Sequence, residues 1–185
     1  MKRSPIIGVM GGGISSRQET EAAYRLGALI AKEGWILLNG GRRIGIMHAS
    51  ARGARENGGI TVGILPQETC EEASEFIDIP IRTGLGIARN AINVLSSDVV
   101  VACTGGAGTL SEIALALKSG RPVVLLDFNP GGAFKPYADC GLLHFASTPE
   151  AAVEKVKELL RNRRSEVGRR KSDGGKSKKL RRSED

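Results

Sequence analysis

The stretch that decides the fold class is DVVVACTGGAGT, which runs from Asp98 to Thr109. Its first half is a continuous apolar run, whereas a half-exposed strand would alternate apolar and polar residues. It therefore predicts a short β-strand buried on both faces, as in a parallel sheet covered by helices. Its second half predicts a glycine-rich turn, and a helix is expected to follow. The segment therefore indicates an α/β unit in which a buried strand leads directly into a turn and a helix.

Apolar runs of the same kind recur along the chain, with predicted helices between them. They cover residues 6–10, 35–38, 60–65 and 122–126. Alternating strands and helices predict an open, doubly wound parallel sheet with right-handed crossovers, which makes this an α/β protein. Ligands of such sheets bind beyond the carboxyl ends of the strands, because the strand-to-helix turns gather at that edge. We expect the functional site there.

The basic character of the chain is confined to its C-terminal part. The 185 residues carry a formal charge of +7, and residues 161–185 hold eleven Lys/Arg against four Asp/Glu, whereas residues 1–160 hold sixteen of each. We therefore predict a single folded domain over residues 1–160 and a disordered basic tail over residues 161–185. The tail has no aromatic residue for stacking on bases, so any attraction to nucleic acid is expected to be weak and directed at phosphates.

Several classes of protein are disfavoured by composition. Three scattered cysteines without C-x-x-C spacing predict neither a disulfide framework nor a zinc site, and two isolated histidines predict no metal centre. The sequence has no run of about 18 apolar residues, so we expect no membrane span. No A-x-A-like cleavage site stands before the first predicted strand, so we expect no signal peptide. We expect a cytoplasmic protein without a metal and without a membrane partner.

Three predicted strands lead into glycine-rich turns, which begin at Gly11, Asn39 and Thr104. Glycines let backbone N–H groups approach a ligand closely, and the following helix places its positive end there, so such turns suit phosphate. Arg42 and Arg89 lie near predicted helix N-termini, where a cation is unfavourable because it opposes the helix dipole. A bound anion would explain why cations occur at these positions. We predict a small phosphorylated ligand. The predicted ligand-binding residues are Gly12, Gly13, Gly40, Gly41, Arg42, Gly105, Gly106, Ala107, Gly108 and Thr109.

Two better-known nucleotide sites are disfavoured by spacing. No G-x-x-x-x-G-K-[ST] motif occurs, which disfavours a P-loop NTPase. The first turn reads Gly11-Gly12-Gly13 rather than G-x-G-x-x-G, and the second strand ends at Asn39 rather than at an acid. Both features disfavour a conventional NAD site.

Glu112 has two interpretations, which follow from its position near the start of the helix after the third turn. It can act as a general acid or base, or it can stabilise a cationic ribosyl transition state. It can equally complete a capping box, Thr109-x-x-Glu112, in which its carboxylate accepts a hydrogen bond from the Thr109 backbone N–H. The spacing alone favours the cap.

The segment from Thr104 to Glu112, TGGAGTLSE, resembles the P-G-G-x-G-T-x-x-E signature of the LOG family, the cytokinin-activating phosphoribohydrolases. Residues 39–47 are similar to that family's second glycine motif, G-G-G-x-x-G-x-M, and the resemblance covers residues 5–160. It implies a Rossmann-like fold, a homo-oligomer and cleavage of the N-glycosidic bond of a nucleoside 5′-monophosphate to free base and ribose 5-phosphate. It also implies a catalytic pair, Arg89 and Glu112.

The chain departs from these enzymes at three positions. They usually have lysine where it has Asn90, proline where it has Thr104 and a third glycine where it has Arg42. These features resemble a sister branch, the molybdenum-cofactor carrier proteins, which hold a phosphorylated pterin without turning it over. The resemblance thus implies a phosphoribohydrolase that needs no cofactor. The alternative is a non-catalytic carrier with molybdenum cofactor or another phosphorylated metabolite as cargo.

Related sequences are often labelled lysine decarboxylases. A decarboxylase of that kind would form a Schiff base on a lysine at the site, but the lysines of residues 1–160 lie away from the predicted turns.

Overall fold

The structure is a computed structural model and describes residues 3–163. Seven strands form one parallel sheet in the order β4-β3-β2-β1-β5-β6-β7. The strands are β1 (Ile6–Met10), β2 (Ile36–Asn39), β3 (Thr61–Leu65), β4 (Ile79–Arg82), β5 (Val99–Ala102), β6 (Val123–Leu126) and β7 (Leu143–Ala146). The prediction of a single doubly wound α/β domain is confirmed. The strand order reverses between β1 and β5, and this reversal places the carboxyl ends of those two strands at the switch point where ligands of such sheets bind.

The two edge strands, β4 and β7, were not predicted. Every residue of β4 is exposed, and Pro80 interrupts its apolar pattern. In β7 the burial is partial, with Phe145 exposed. Edge strands have only one paired side and lack the continuous burial that marked the five inner strands, so the hydrophobic runs alone could not reveal them.

Helices cover both faces of the sheet. They are α1 (Arg17–Lys32), α2 (Gly45–Glu56), α3 (Asn90–Ser96), α4 (Ala107–Lys118), α5 (Lys135–Asp139) and α6, which comprises residues 149–163. Helices α1, α2 and α6 pack on one face around Leu26, Ile46 and Val156, whereas α3 and α4 pack on the other around Val94 and Ile113. Helix α1 starts with a capping box, in which Ser16 and Glu19 exchange hydrogen bonds of 3.2 and 2.6 Å.

Helix α6 continues past the predicted domain boundary. Residues 161–163, which were predicted to belong to the tail, are helical, and Arg163 donates to the Asp98 carboxylate at 3.1 Å. Asp98 also pairs with Arg3 at 2.6 Å. Burial alone would raise the pKa of Asp98, but the bonds from Arg3 and from the Ile6 N–H outweigh it and lower that pKa. The remainder of the predicted tail, residues 164–185, lies outside the described residues.

Across residues 3–163, no helix is both long enough and apolar enough to cross a membrane. Within the same residues, no three His, Cys, Asp or Glu side chains gather as a metal site would require.

Two glycines allow α1 and α2 to pack backbone against backbone. A Cβ atom at Gly27 would overlap the Ser50 carbonyl oxygen, and one at Gly53 would overlap the Tyr24 carbonyl oxygen. Only hydrogen fits at either position, so the spacing of the two helices depends on both glycines. This spacing also fixes the place of the turn that begins α2, which belongs to the functional site.

We predict that Gly53→Ala lowers the free energy of unfolding by about 2 kcal/mol or more, because the new methyl group forces two packed helices apart. Gly108→Ala is the matched control, since nothing lies within 4 Å of a Cβ at Gly108 and alanine favours a helix. We expect this control to be neutral or stabilising by up to about 1 kcal/mol. Urea denaturation of both variants tests this, and an equally mild effect of both changes would contradict it.

Candidate functional site

The three glycine-rich turns meet at the peptide groups of Gly12. The Gly12 N–H donates to the Thr104 carbonyl at 2.9 Å, and the Gly12 carbonyl accepts from the Ile46 N–H at 3.0 Å. The turn after β1 is thereby bonded to the turn after β5 on one side and to the first turn of α2 on the other. The prediction that these turns gather at one edge of the sheet is confirmed by these bonds.

The turns pack so closely that side chains are excluded between them. A Cβ atom at Gly105 would lie 2.8 Å from the Gly12 nitrogen and would overlap the Thr109 hydroxyl. A Cβ atom at Gly45, where φ is +50°, would overlap the Gly12 carbonyl oxygen. Glycine is therefore required at these positions for the turns to approach each other, independently of any ligand.

A cavity of about 200 Å³ opens beside this junction. Most of the predicted site residues line it, namely Gly12, Gly13, Gly40, Arg89, Gly106, Gly108, Thr109 and Glu112. Residues that were not predicted complete the lining, among them Gly11, Met47 and Asn90. The structure thus brings residues from four separate segments of the chain around one cavity.

Four predicted ligand-binding residues do not line the cavity. Gly41 adopts a φ of +75° and donates its N–H to the Asn39 side chain at 2.8 Å. Arg42 pairs with Glu72 at 2.9 Å. Gly105 packs against Gly12, and Ala107 is the exposed first residue of α4. Gly41, Arg42 and Gly105 thus make contacts within and between the turns. Burial is the main cause that lowers the pKa of Arg89, and the charge of Arg42 lowers it further.

The first turn of α4 presents backbone N–H groups to the cavity. Gly106 is the N-cap, and neither a capping side chain nor an acidic residue neutralises this helix end. The first N–H groups of a helix have no partner within it, and the helix dipole adds positive potential at the same place. Gly106 and Gly108 both leave open space where a Cβ would lie. An anion can therefore approach the N–H groups closely.

The interpretation of Glu112 as a capping residue is wrong. Helix α4 begins at Ala107, so Thr109 lies inside the helix and cannot be its N-cap. The Glu112 carboxylate instead accepts from the Asn93 amide at 2.7 Å and from the Arg89 guanidinium at 3.4 Å. Glu112 therefore belongs to the wall of the cavity and contacts α3 rather than its own helix start.

Arg89 and Glu112 form a pair of opposite charges in a buried environment. Their side chains are 11% and 8% exposed, respectively. Burial raises the pKa of Glu112, although the bond from Asn93 and the charge of Arg89 oppose this. Burial likewise lowers the pKa of Arg89, and the nearby carboxylate only partly offsets this. Each charge is thus costly at this place unless further partners stabilise it.

The Arg89 guanidinium has donors to spare. Its Nε is buried and has no hydrogen-bond partner among the described residues, and its bond to Glu112 is long. Its Nη2 lies where a Cβ at Gly40 would be only 2.5 Å away, so the glycine makes room for the guanidinium. Unused N–H donors of a buried cation beside a cavity favour an anionic ligand.

Asn93 was missed at the level of sequence. It is fully buried on α3, four residues after Arg89, so one turn of helix places both side chains near the same carboxylate. An i, i+4 relation between an arginine and an asparagine is a weak signal by itself. The role of Asn93 becomes visible only in the packing of α3 against α4, which brings its amide to Glu112.

Comparison with known proteins agrees with this geometry. An uncharacterized protein of Archaeoglobus fulgidus is 44% identical over 147 residues, which are 80% of this chain and 91% of the relative. A cytokinin riboside 5′-monophosphate phosphoribohydrolase of Mycobacterium tuberculosis is 37% identical over 122 residues, which are 62% of this chain and 64% of that enzyme. The match to the mycobacterial enzyme thus covers somewhat less than two thirds of its length.

Two solved structures are similar over nearly their whole length. The molybdenum cofactor binding protein of Rippkaea orientalis has a TM-score of 0.81 and 48% identity, covering 86% of this chain and 99% of that chain. The molybdenum cofactor carrier protein of Chlamydomonas reinhardtii has a TM-score of 0.79 with the same identity and coverage. The predicted resemblance to the LOG family and to the carrier branch is confirmed. The SLOG cluster 4 family matches residues 4–153, and the chain belongs to that family.

Proposed function

We propose that the protein binds a phosphorylated pterin of the molybdenum cofactor class in the cavity and acts as its carrier. The observation that carries this proposal is the cavity itself, in which a glycine-lined helix N-terminus and the unused donors of Arg89 converge. The two solved cofactor-binding proteins, at 48% identity over 99% of their length, support the choice of ligand. The molybdenum cofactor is the cargo in this account and not a resident group.

The residues present fit the phosphate of such a ligand. The N–H groups at the start of α4 and the Arg89 guanidinium supply charge and directed donors. Gly106 and Gly108 leave the space that a phosphate needs close to the backbone. A cavity of about 200 Å³ is small for a whole cofactor, so the pterin ring is expected to extend from the phosphate toward the open side.

Asn90 favours binding without turnover. The LOG enzymes usually have lysine at this position, which would place a second cation beside Arg89. Asn90 instead donates its side-chain amide to the Ser111 hydroxyl at 3.1 Å and brings no charge. Asn90 therefore supplies no acidic proton for a leaving base, whereas an anion can still bind at the start of α4 and at Arg89.

Hydrolysis of a nucleoside 5′-monophosphate is the second candidate function, and the buried pair of Arg89 and Glu112 favours it. A carboxyl group whose pKa is raised by burial is suited to general acid–base work near neutral pH. In this reaction the C–N bond breaks as the water oxygen bonds to the anomeric carbon, and Glu112 takes a proton from that water. The base leaves with the electrons of the C–N bond and receives a proton, which the protonated Glu112 can supply so that its carboxylate is restored.

We predict that Gly106→Val weakens binding of molybdopterin or adenosine 5′-monophosphate by at least about 100-fold. Gly106 has a φ of −90° and open space where a Cβ would lie, so valine fills the cavity without straining the backbone. Gly132→Val is the matched control, because that glycine also has open space around it and lies outside the cavity. Titration calorimetry measures both. Equal affinity of Gly106→Val and the wild-type protein would place the phosphate elsewhere.

Substitution of Glu112 separates the two functions. If the protein is a hydrolase, Glu112→Gln lowers the rate of base release by at least about 10²-fold, because the amide cannot accept the proton. If it is a carrier, the wild-type protein releases no base and Glu112→Gln retains pterin binding. Chromatography of nucleoside monophosphates after incubation measures the rate, with Glu154→Gln, an exposed carboxylate on α6, as the control. Release of base by the wild-type protein would contradict the carrier.

We also propose that the protein is a homo-oligomer. Ile87, on the turn before α3, is 91% exposed, and Leu95 of α3 is 54% exposed. Leu115 is also exposed, on α4, which packs against α3. Ala91 and Ile92 of α3 are half-buried. A cluster of apolar side chains next to the candidate site is typical of a contact between subunits.

We expect light scattering to give the mass of a dimer or tetramer, and Ile87→Glu to lower it to that of a monomer. Ile60→Glu is the control, because Ile60 is about as exposed as Leu95 but lies just before β3, at the amino end of that strand. A monomeric wild-type protein at micromolar concentration would overturn the proposed assembly.

A further inference from the structure

Two donors converge on a single oxygen of Glu112. The Asn93 amide nitrogen lies 2.7 Å from Oε1, and the Arg89 Nη1 lies 3.4 Å from the same atom. Within residues 3–163, no hydrogen bond to Oε2 is found. The shorter of the two contacts comes from the neutral side chain, so the carboxylate is held by Asn93 more closely than by the cation.

Asn93 is committed to this one contact. It is fully buried, and its Oδ1 has no partner among the described residues. The backbone of α3 is secured separately, since the Ser97 hydroxyl donates to the Asn93 carbonyl at 2.7 Å. A buried amide that makes only one side-chain hydrogen bond is a poor stabiliser of a core, and an apolar side chain of the same size would fit such a place better.

We propose that Asn93 is a positioning residue of the site, which fixes one oxygen of Glu112 by donating to it and leaves the other oxygen for the ligand or for water. This inference rests on the proposed anion site, in which Glu112 lines the cavity. It holds for the carrier and for the hydrolase alike, because the charge of Glu112 affects the binding of an anion as well as the transfer of a proton.

The proposal gives Asn93 control over the charge of Glu112. An N–H donor stabilises the ionised carboxylate and opposes the effect of burial. Among the described residues, Arg89 is the charged group that faces Glu112, and α3 contributes only the neutral Asn93. Arg42 does not act on Glu112 directly, but its positive charge acts on Arg89. Loss of the Asn93 amide therefore removes one of two groups that keep Glu112 ionised.

Titration of the Glu112 carboxyl carbon by nuclear magnetic resonance tests this directly, with Glu112→Gln identifying the signal. We expect Asn93→Leu and Asn93→Ala to raise the pKa of Glu112 by at least about one unit, since a hydrogen bond to a charged group is lost. Ser97→Ala is the control, because it removes a buried hydrogen bond from the same helix without touching Glu112. An unchanged midpoint in the Asn93 variants would overturn the proposal.

A second measurement uses the wild-type protein and does not depend on the folding of any variant. The side-chain amide signal of Asn93 should change with pH at the same midpoint as the Glu112 carboxyl carbon, because the two groups are bonded. Separate midpoints, or an amide signal that does not respond to pH, would overturn the proposal.

Sulfate, whose charge is constant near neutral pH, distinguishes failure of this proposal from failure of the anion site. The affinity for sulfate should fall as pH rises through the Glu112 midpoint, since the ionised carboxylate repels the sulfate anion. Asn93→Leu should raise the pH at which this fall occurs by about one unit. In a Glu112→Gln background, Asn93→Leu should have no such effect. Absence of sulfate binding contradicts the proposed site, whereas a fall that Asn93→Leu does not move contradicts the role of Asn93.

Discussion

The two hydrogen bonds made by the backbone of Gly12 hold together the edge of the sheet that carries the site. They join the turns after β1 and β5 and the start of α2. These bonds form only because no side chain separates the turns, as the close approach of Gly105 and Gly45 to Gly12 requires. The glycines therefore have two separate functions. Some let the turns pack against one another, and others, such as Gly106, line the cavity and leave open space beside it.

The junction of the turns explains why a charged pair can be buried beside it. Arg89 and Glu112 approach from different elements, and the space beside Gly40 admits the guanidinium. Their contact of 3.4 Å is too long to compensate fully for the loss of hydration, and Arg89 retains an unpartnered Nε. The described residues leave this donor without a partner, and an anionic ligand of the kind proposed would supply one.

The sequence was sufficient for the inner strands and the glycine-rich turns, because continuous apolar runs and glycine clusters are local patterns. It was insufficient where a role depends on distant residues. Arg42 pairs with Glu72, thirty residues away, and Glu112 contacts Asn93 across the packing of two helices. The capping spacing of Thr109 and Glu112 was misleading, because it could not reveal that α4 begins two residues before Thr109. Local patterns located the site, and tertiary contacts determined its chemistry.

We propose that the start of α4 and the Gly12 junction together form an anion cradle. Backbone amide shifts recorded during a titration with sulfate are the most direct measurement of such a cradle. The largest shifts, with a common dissociation constant, are expected to fall on Gly12, Gly13 and residues 106–109, accompanied by the Arg89 side chain. Largest shifts in the groove between α1 and α2, around Arg17 and Arg52, would show that the anion binds elsewhere.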